Sequence, residues 1–251
     1  MWQNKTVSVV LPAYNEAPNI AAAVQEFIAL NHQNSLPIID EVIVIDNNSS
    51  DGTGDLAKKA GARVIVETKQ GYGNALQRGL READSDIIVT CEPDGTFIAR
   101  DIIKLLSYAD DFGMVCGTRT TRELFWEEAN MGFFLRWGNF AVAKFLELLY
   151  DTCSLSDCGC TFRLYSRDAV ERIKDDLFVA ESHFLPNVIV AACVNNVSFI
   201  EIPVTYRGRI GESKITGNWL GIWQTGLAMI WLILTQWPAY LVRRRRTRSK
   251  Q

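Results

Sequence analysis

Residues 91–97 read CEPDGTF, and they place two carboxylates, Glu92 and Asp94, on either side of a proline. Side chains two positions apart in an extended segment point the same way. Pro93 biases the residue before it toward that extended geometry. Glu92 and Asp94 can therefore face one point together. Two oxygen groups of this kind suit a hard divalent cation, Mg2+ or Mn2+, shared with a nucleotide diphosphate. Taken alone, the tripeptide also reads as a turn with incidental acids. Two further polar clusters accompany it, PAYNE (12–16) and DNNSSDGT (46–53), and each follows an apolar run.

Those runs are the elements that must position the acids. VSVVLPAY (7–14), EVIVIDN (41–47), ARVIVET (62–68) and DIIVTCE (86–92) are rich in Val and Ile without clean alternation. Strands buried on both faces have this character. Helical patterns separate them, so the alternation predicts a parallel sheet with right-handed crossovers. In such sheets ligands bind beyond the carboxyl ends of the strands, where the polar clusters fall. GMVCGTR (113–119) is a fifth strand, followed by a long helix over 129–150. TFRLYS (161–166) is a short strand, HFLPNVIVAACVNN a helix, and VSFIEIPVTYRG (197–208) a strand running into a loop. GYGNA (71–75) lacks the spacing of a dinucleotide fingerprint. Gly71 and Gly73 there either let backbone approach a nucleotide or simply open the next helix.

With 251 residues, 48% hydrophobic and 22% charged, the chain is ordinary globular material with an apolar lean. A net charge of −3 excludes a bulk attraction to nucleic acid. The six cysteines include no CxxC pair, and with only two histidines they argue against a zinc site. Cys91, Cys116 and Cys193 sit in apolar runs as core thiols, which fits a reducing compartment. The first residues do not read as a signal peptide. Residues 219–242 carry no charge and four tryptophans, and RRRRTRSK follows. As a helix the segment would reach about 36 Å, enough to cross a bilayer.

VSVVLPAYNE, EVIVIDNNSSDGT, GYGNALQRGL and CEPDGTF stand in the order, and at the distances, that resemble the family 2 glycosyltransferases of the GT-A fold. The resemblance implies an α/β domain whose mixed, mostly parallel sheet is flanked by helices, followed by a C-terminal membrane-interface helix. It implies that Pro12, Ala13, Tyr14 and Glu16 border the base and ribose of a nucleotide sugar. Asp46 would meet the base, Gly71 would adjoin the donor, and Glu92 and Asp94 would hold Mg2+ or Mn2+. The chain departs from the family's usual DxD, since the first acid is a glutamate and the middle residue is proline. SLSDCGCTFRLYSRDA (154–169) and YRGRIGESKITG (206–217) resemble segments of the dolichyl- and undecaprenyl-phosphate sugar synthases, a branch that often has glutamine where Thr96 stands. That branch implies an acceptor-phosphate set of Arg119, Arg136, Arg207, Ser213 and Lys214. Asp94, Asp157 and Arg119 are the implied catalytic residues.

The expected reaction is an inverting, metal-dependent transfer of a sugar from a nucleotide-diphosphate sugar to a polyprenyl phosphate. A lipid phosphate is already an anion and needs no general base. One alternative is a saccharide or lipid hydroxyl acceptor with Asp157 as base. Another is an inactive nucleotide-sugar-binding membrane protein. The expected division is a catalytic domain over 1–217, with a donor half (1–119) and an acceptor half (120–217), then the apolar helix (218–242) and a basic tail (243–251). Nucleotide sugars are cytosolic, and the arginines prefer the same side. One crossing would separate them, so the expectation is an interface helix, or a re-entrant hairpin bent near Pro238, on the cytoplasmic face of the cell membrane. A single transmembrane helix and self-association through the tryptophan face are the alternatives.

Overall fold

The Val- and Ile-rich runs become strands. β1 (Val7–Ala13), β2 (Glu41–Asp46), β3 (Arg63–Val66) and β4 (Ile87–Thr90) are parallel, in the spatial order β3-β2-β1-β4. The computed structural model describes residues 1–33, 37–121, 124, 133–208 and 219–248, with side chains except at 32–33, 133–136, 219–222 and 245–248. Beyond β4 the sheet continues as β6-β5-β7, formed by β5 (Met114–Thr118), β6 (Arg163–Ser166) and β7 (Phe199–Pro203). β6 is antiparallel to both β4 and β5, while β7 is parallel to β5. The first expectation of a parallel sheet thus holds except at β6, and a mixed, mostly parallel sheet, as the resemblance implies, is what forms.

Alternate residues of each strand feed opposite layers. Val7, Val9 and Leu11 of β1 pack with α1 (Ile20–Gln33), α2 (Thr53–Lys59) and α4 (Ile102–Leu106). Val10 of β1 and Ile43 and Ile45 of β2 face the other layer. That layer holds α3 (Tyr72–Glu82), α5 (Phe133–Tyr150), α6 (Arg167–Ile173), α7 (Phe184–Val194) and α8 (Trp219–Arg248). Six strands share one direction, so the carboxyl ends of β1, β2, β4, β5 and β7 meet at one edge with the start of β6. Cys91, Cys116 and Cys193 are buried, as expected of core thiols.

α8 corrects the re-entrant reading. It is one helix of 30 residues that runs through Pro238 without reversing. Pro238 costs one backbone hydrogen bond, but its ring lies on the exposed side. The inner face is held on the domain by aromatic residues. Tyr150 donates its hydroxyl to Ile233 O at 2.8 Å, and Trp237 Nε1 donates to Leu149 O at 3.0 Å. The Tyr150 and Tyr240 rings sit 4.9 Å apart. Arg243 donates to Asp176 and Asn195, and Arg244 to Asp151, so two arginines of the tail are engaged by the protein itself. The outer face exposes Trp223, Leu227, Trp231 and Leu234. Trp223–Arg244 is long and apolar enough to cross a membrane.

Candidate active site

The loops after β1 and β2 are tied to each other before they meet any ligand. Asn15, at φ 52°, accepts the Ser50 N–H on its Oδ1 at 2.9 Å, and Ser49 Oγ accepts the Asn15 N–H at 3.0 Å. Asp51 accepts from the Ala17 N–H and from both donors of Thr53, so it closes the turn ahead of α2. Glu16 accepts from Asn19 Nδ2 at 3.1 Å at the entrance to α1. These bonds fix the mouth of a cavity of about 290 Å³ at the carboxyl edge of the sheet.

Pro12, Tyr14, Glu16, Gly71, Glu92 and Asp94 all line that cavity, so the structure brings together six of the seven expected donor-side residues. Asp46 lies apart. It borders the neighbouring groove and accepts the Ser49 N–H on Oδ1 at 3.0 Å. Adjacent strand residues face opposite ways, and Asn47 lines the cavity instead. Its amide is spent on the chain, donating to Glu67 O and Lys69 O and accepting the Gly71 N–H at 2.9 Å. Gly73 is needed for close packing: a Cβ there would stand 2.1 Å from Val179 O. Ala180 O accepts the Gly73 N–H at 2.7 Å, so a loop of the protein occupies the start of α3.

The two acids at the end of β4 are held differently. Asp94 is buried, and its Oδ1 accepts from Thr96 N at 3.1 Å and Thr96 Oγ1 at 2.6 Å. Glu92 Oε1 accepts from Tyr72 OH at 3.0 Å and from Thr161 Oγ1 at 2.8 Å, and the two hydroxyls also touch each other. Burial, then the Asp94 charge, push Glu92 up to about 7. Burial also raises Tyr72 well above the ordinary phenol range, which keeps it a donor. Tyr72 and Thr161 were not legible as site residues. Their signals were slight: an aromatic between two glycines at a helix start, and a hydroxyl just ahead of a strand.

A stability prediction follows from the raised Glu92. The folded chain keeps that proton where an unfolded chain, with an ordinary carboxyl at 4.5, has lost it. Stability is therefore lost as pH rises from about 4.5 to about 7. Glu92→Gln keeps the acceptor oxygen. It is expected to raise the stability of metal-free protein above pH 7 by on the order of 1–3 kcal/mol, and to change little near pH 4. Thermal melts across pH check this, and an equal gain at both ends would contradict it.

Across the edge, Arg119 follows β5 and Asp157 precedes β6. Asp157 Oδ2 accepts from Arg119 Nε at 2.7 Å and Oδ1 from Arg119 Nη2 at 2.9 Å. The Arg119 and Gly159 N–H groups add further bonds to the same carboxylate. Burial alone would raise Asp157, but the guanidinium and these donors hold it below the usual carboxylate range. Arg119 also lies 5.4 Å over the Tyr206 ring. The Arg207 N–H donates to Thr96 O at 2.8 Å, which fastens the segment after β7 to the acid loop. Arg136 is on α5 with its side chain outside those described, and Ser213 and Lys214 lie outside the described residues.

Glu201 of β7 escaped the sequence reading, although a charge inside an apolar strand was a usable signal. It accepts from Ser156 N, Ser156 Oγ and Asp157 N at 2.6–2.9 Å. Arg163 is a second such residue. It is fully buried and donates to the carbonyls of Cys158, Cys160 and Leu185.

Among the described residues no group of three or more His, Cys, Asp or Glu side chains could hold a metal by itself. Two neighbouring carboxylates that border a cavity nevertheless fit Mg2+ or Mn2+, which take one or two carboxylates together with substrate phosphates.

Comparison with known proteins places this architecture. The chain is 27% identical over 210 residues to a dolichyl-phosphate hexose transferase of Haloferax volcanii, covering 83% of this chain and 86% of that one. It is 29% identical over 238 residues to a low-salt glycan biosynthesis hexosyltransferase of the same organism, covering 94% of this chain and 55% of that one. The fold matches glucosyl-3-phosphoglycerate synthase of Mycobacterium tuberculosis, solved with Mn2+, UDP and glucosyl-3-phosphoglycerate. That match has a TM-score of 0.70 at 18% identity, over 93% of this chain and 80% of the other. The model of glycosyl transferase family 2 matches residues 8–174, and the chain belongs to that family of glycosyltransferase enzymes.

Proposed function

We propose that the protein transfers a sugar from a nucleotide-diphosphate sugar to a polyprenyl phosphate, with inversion and with Mg2+ or Mn2+ at Glu92 and Asp94. The carrying observation is the state of Asp157. Both oxygens of this buried carboxylate are engaged by a largely covered guanidinium and its affinity for a proton is lowered, so it is a poor base for a hydroxyl acceptor. An acceptor that is already ionised suits this site. The 27% identity with a dolichyl-phosphate hexose transferase supports the same choice.

In this reading residues 1–119 serve the donor and 120–217 the acceptor. Pro12, Tyr14, Glu16 and Gly71 border the nucleotide, and Asp46 acts on the base through the loop it caps. Arg136, Arg207, Ser213 and Lys214 receive the lipid phosphate, where arginine forks match phosphate oxygens, and Arg119, its fork held by Asp157, adds fixed positive charge beside them. An oxygen of that phosphate bonds to the anomeric carbon from the face opposite the leaving group. The bond from that carbon to the diphosphate breaks, and its electron pair leaves with the nucleoside diphosphate. The bound cation supplies charge neutralisation of the departing diphosphate. The protein's part is alignment and fixed positive charge.

The experiment offers purified protein, Mn2+ and a panel of nucleotide sugars to polyprenyl phosphate and, separately, to the free polyprenol. A glycosylated lipid phosphate is expected, with no product from the alcohol. Product from the alcohol would favour the hydroxyl reading. Nucleotide binding without any product would favour the inactive binder.

The membrane reading rests on α8. Its residues from 229 onward are docked on the domain, which leaves 219–228, about 15 Å of helix, against the roughly 30 Å of a bilayer core. We therefore place α8 along the cytoplasmic interface, outer face toward lipid, with Trp223 and Trp231 at headgroup level. Replacing Trp223 and Trp231 together by Ala is expected to weaken binding to anionic vesicles by tenfold or more, since burying one such ring is worth about 1.5–3 kcal/mol. Vesicle sedimentation measures this. Unchanged binding with a shift from dimer to monomer would instead assign the face to self-association.

A further inference from the structure

The acid motif of this chain carries one methylene more than an Asp-x-Asp pair, and its surroundings show what takes up the extra length. Glu92 reaches across the cavity wall to two hydroxyls from separate elements. Tyr72 opens α3, and Thr161 lies just before β6. Both converge on the same oxygen, Oε1, and no hydrogen bond is made to Oε2 among the described residues. Each hydroxyl is anchored in turn. The Thr161 carbonyl accepts from Thr90 Oγ1 at 2.7 Å, which fixes Thr161 to β4, the strand that leads into the motif. Tyr72 packs against the buried core of the α3 layer and borders the cavity with Glu92. Asp94 is secured by other means, through Thr96 in its own turn. The two acids are therefore braced independently, one by a local turn and one by a bridge between α3 and the β6 approach.

We propose that Tyr72 and Thr161 are positioning residues that hold Glu92 Oε1 and thereby direct Oε2 toward the shared divalent cation, so that a glutamate performs the task at this position. The proposal rests on the reading of Glu92 and Asp94 as cation ligands. Hydroxyls that orient a ligand carboxylate typically change metal affinity by 10–100-fold when removed. A glutamate released from the brace also regains rotamers that must be lost again on binding. The aspartate of Glu92→Asp would be too short to meet both hydroxyls and the cation together.

The test measures Mn2+ affinity by electron paramagnetic resonance, with full-length protein and saturating UDP or GDP, whichever binds more tightly. Tyr72→Phe and Thr161→Val remove one hydroxyl each at nearly constant shape. Each is expected to weaken Mn2+ by about tenfold, with nucleotide affinity in EDTA and the melting temperature near those of wild type. The double variant should lose more than either single one. Glu92→Asp should fall with them, and activity should be recoverable at raised Mn2+ in all three hydroxyl variants. Wild-type Mn2+ affinity in Tyr72→Phe and Thr161→Val, with a loss in Glu92→Ala, would overturn the brace and leave the metal site standing. Wild-type affinity in Glu92→Ala as well would overturn both. A lowered melting temperature without any change in Mn2+ affinity would assign the hydroxyls to packing and also overturn the proposal.

Discussion

Asp94→Asn is expected to cut transfer by on the order of 10³-fold while leaving the fold intact. The amide keeps the oxygen that accepts from Thr96 N and Thr96 Oγ1, so the turn after β4 survives. What it removes is the negative charge that a hard cation needs. Stability should stay within about 1 kcal/mol of wild type, as for an isosteric substitution that creates no cavity. The loss should sit in kcat, with nucleotide affinity in the absence of metal unchanged. Initial rates over a range of donor and Mn2+ concentrations, together with a thermal melt, check both halves. Near-normal kcat would take Asp94 out of the metal role.

The second large effect concerns Asp157. Asp157→Ala leaves the largely covered Arg119 guanidinium without its carboxylate, and breaking a buried pair costs about 3–5 kcal/mol, with the partial exposure of Arg119 placing this one at the low end. The sign of its pH dependence is opposite to that of Glu92. Asp157 is held below its ordinary value, so its contribution is present above an unfolded value of about 3.9 and is lost only as pH falls below that. The variant should thus melt well below wild type at pH 7 and approach it only in strong acid. A catalytic base would leave another signature: lost kcat, a missing acid limb in the pH–rate profile and an undisturbed melt. Chemical denaturation at several pH values, run beside the rate profile, separates the two roles. Arg119→Lys, with Asp157 intact, should also lower the melt at pH 7, because a point charge cannot reproduce the forked contact with Asp157 Oδ1 and Oδ2.

Both effects trace to positions the sequence exposed unevenly. β1, β2 and β4 were legible because strands covered on both sides must be Val and Ile rich, and their polar ends marked the site edge. β6 was visible as a strand but not as an antiparallel insertion between β4 and β5, since a pairing such as Val89 with Leu164 leaves no local trace. Asp46 borders the neighbouring groove, while Asn47, one step along the chain, lines the cavity, a distinction that a motif does not display. Tyr72 and Thr161 act through single hydroxyls that follow no periodicity. Glu201 and Arg163 were detectable as charges within apolar strands, but their partners are loop backbone groups, which a sequence does not display. Pro238 suggested a bend, yet a proline on the exposed side of a docked helix removes one hydrogen bond without turning the chain.

Diffraction from crystals grown with donor analogue and Mn2+, recorded at an energy where manganese scatters anomalously, tests the central claim most directly. The account predicts one strong peak bounded by the Glu92 and Asp94 carboxylates, with at least one oxygen of each within roughly 2.0–2.6 Å and the diphosphate on the opposite side. A bound nucleotide whose manganese lies away from both acids, or a bound nucleotide with no manganese at all, would contradict it.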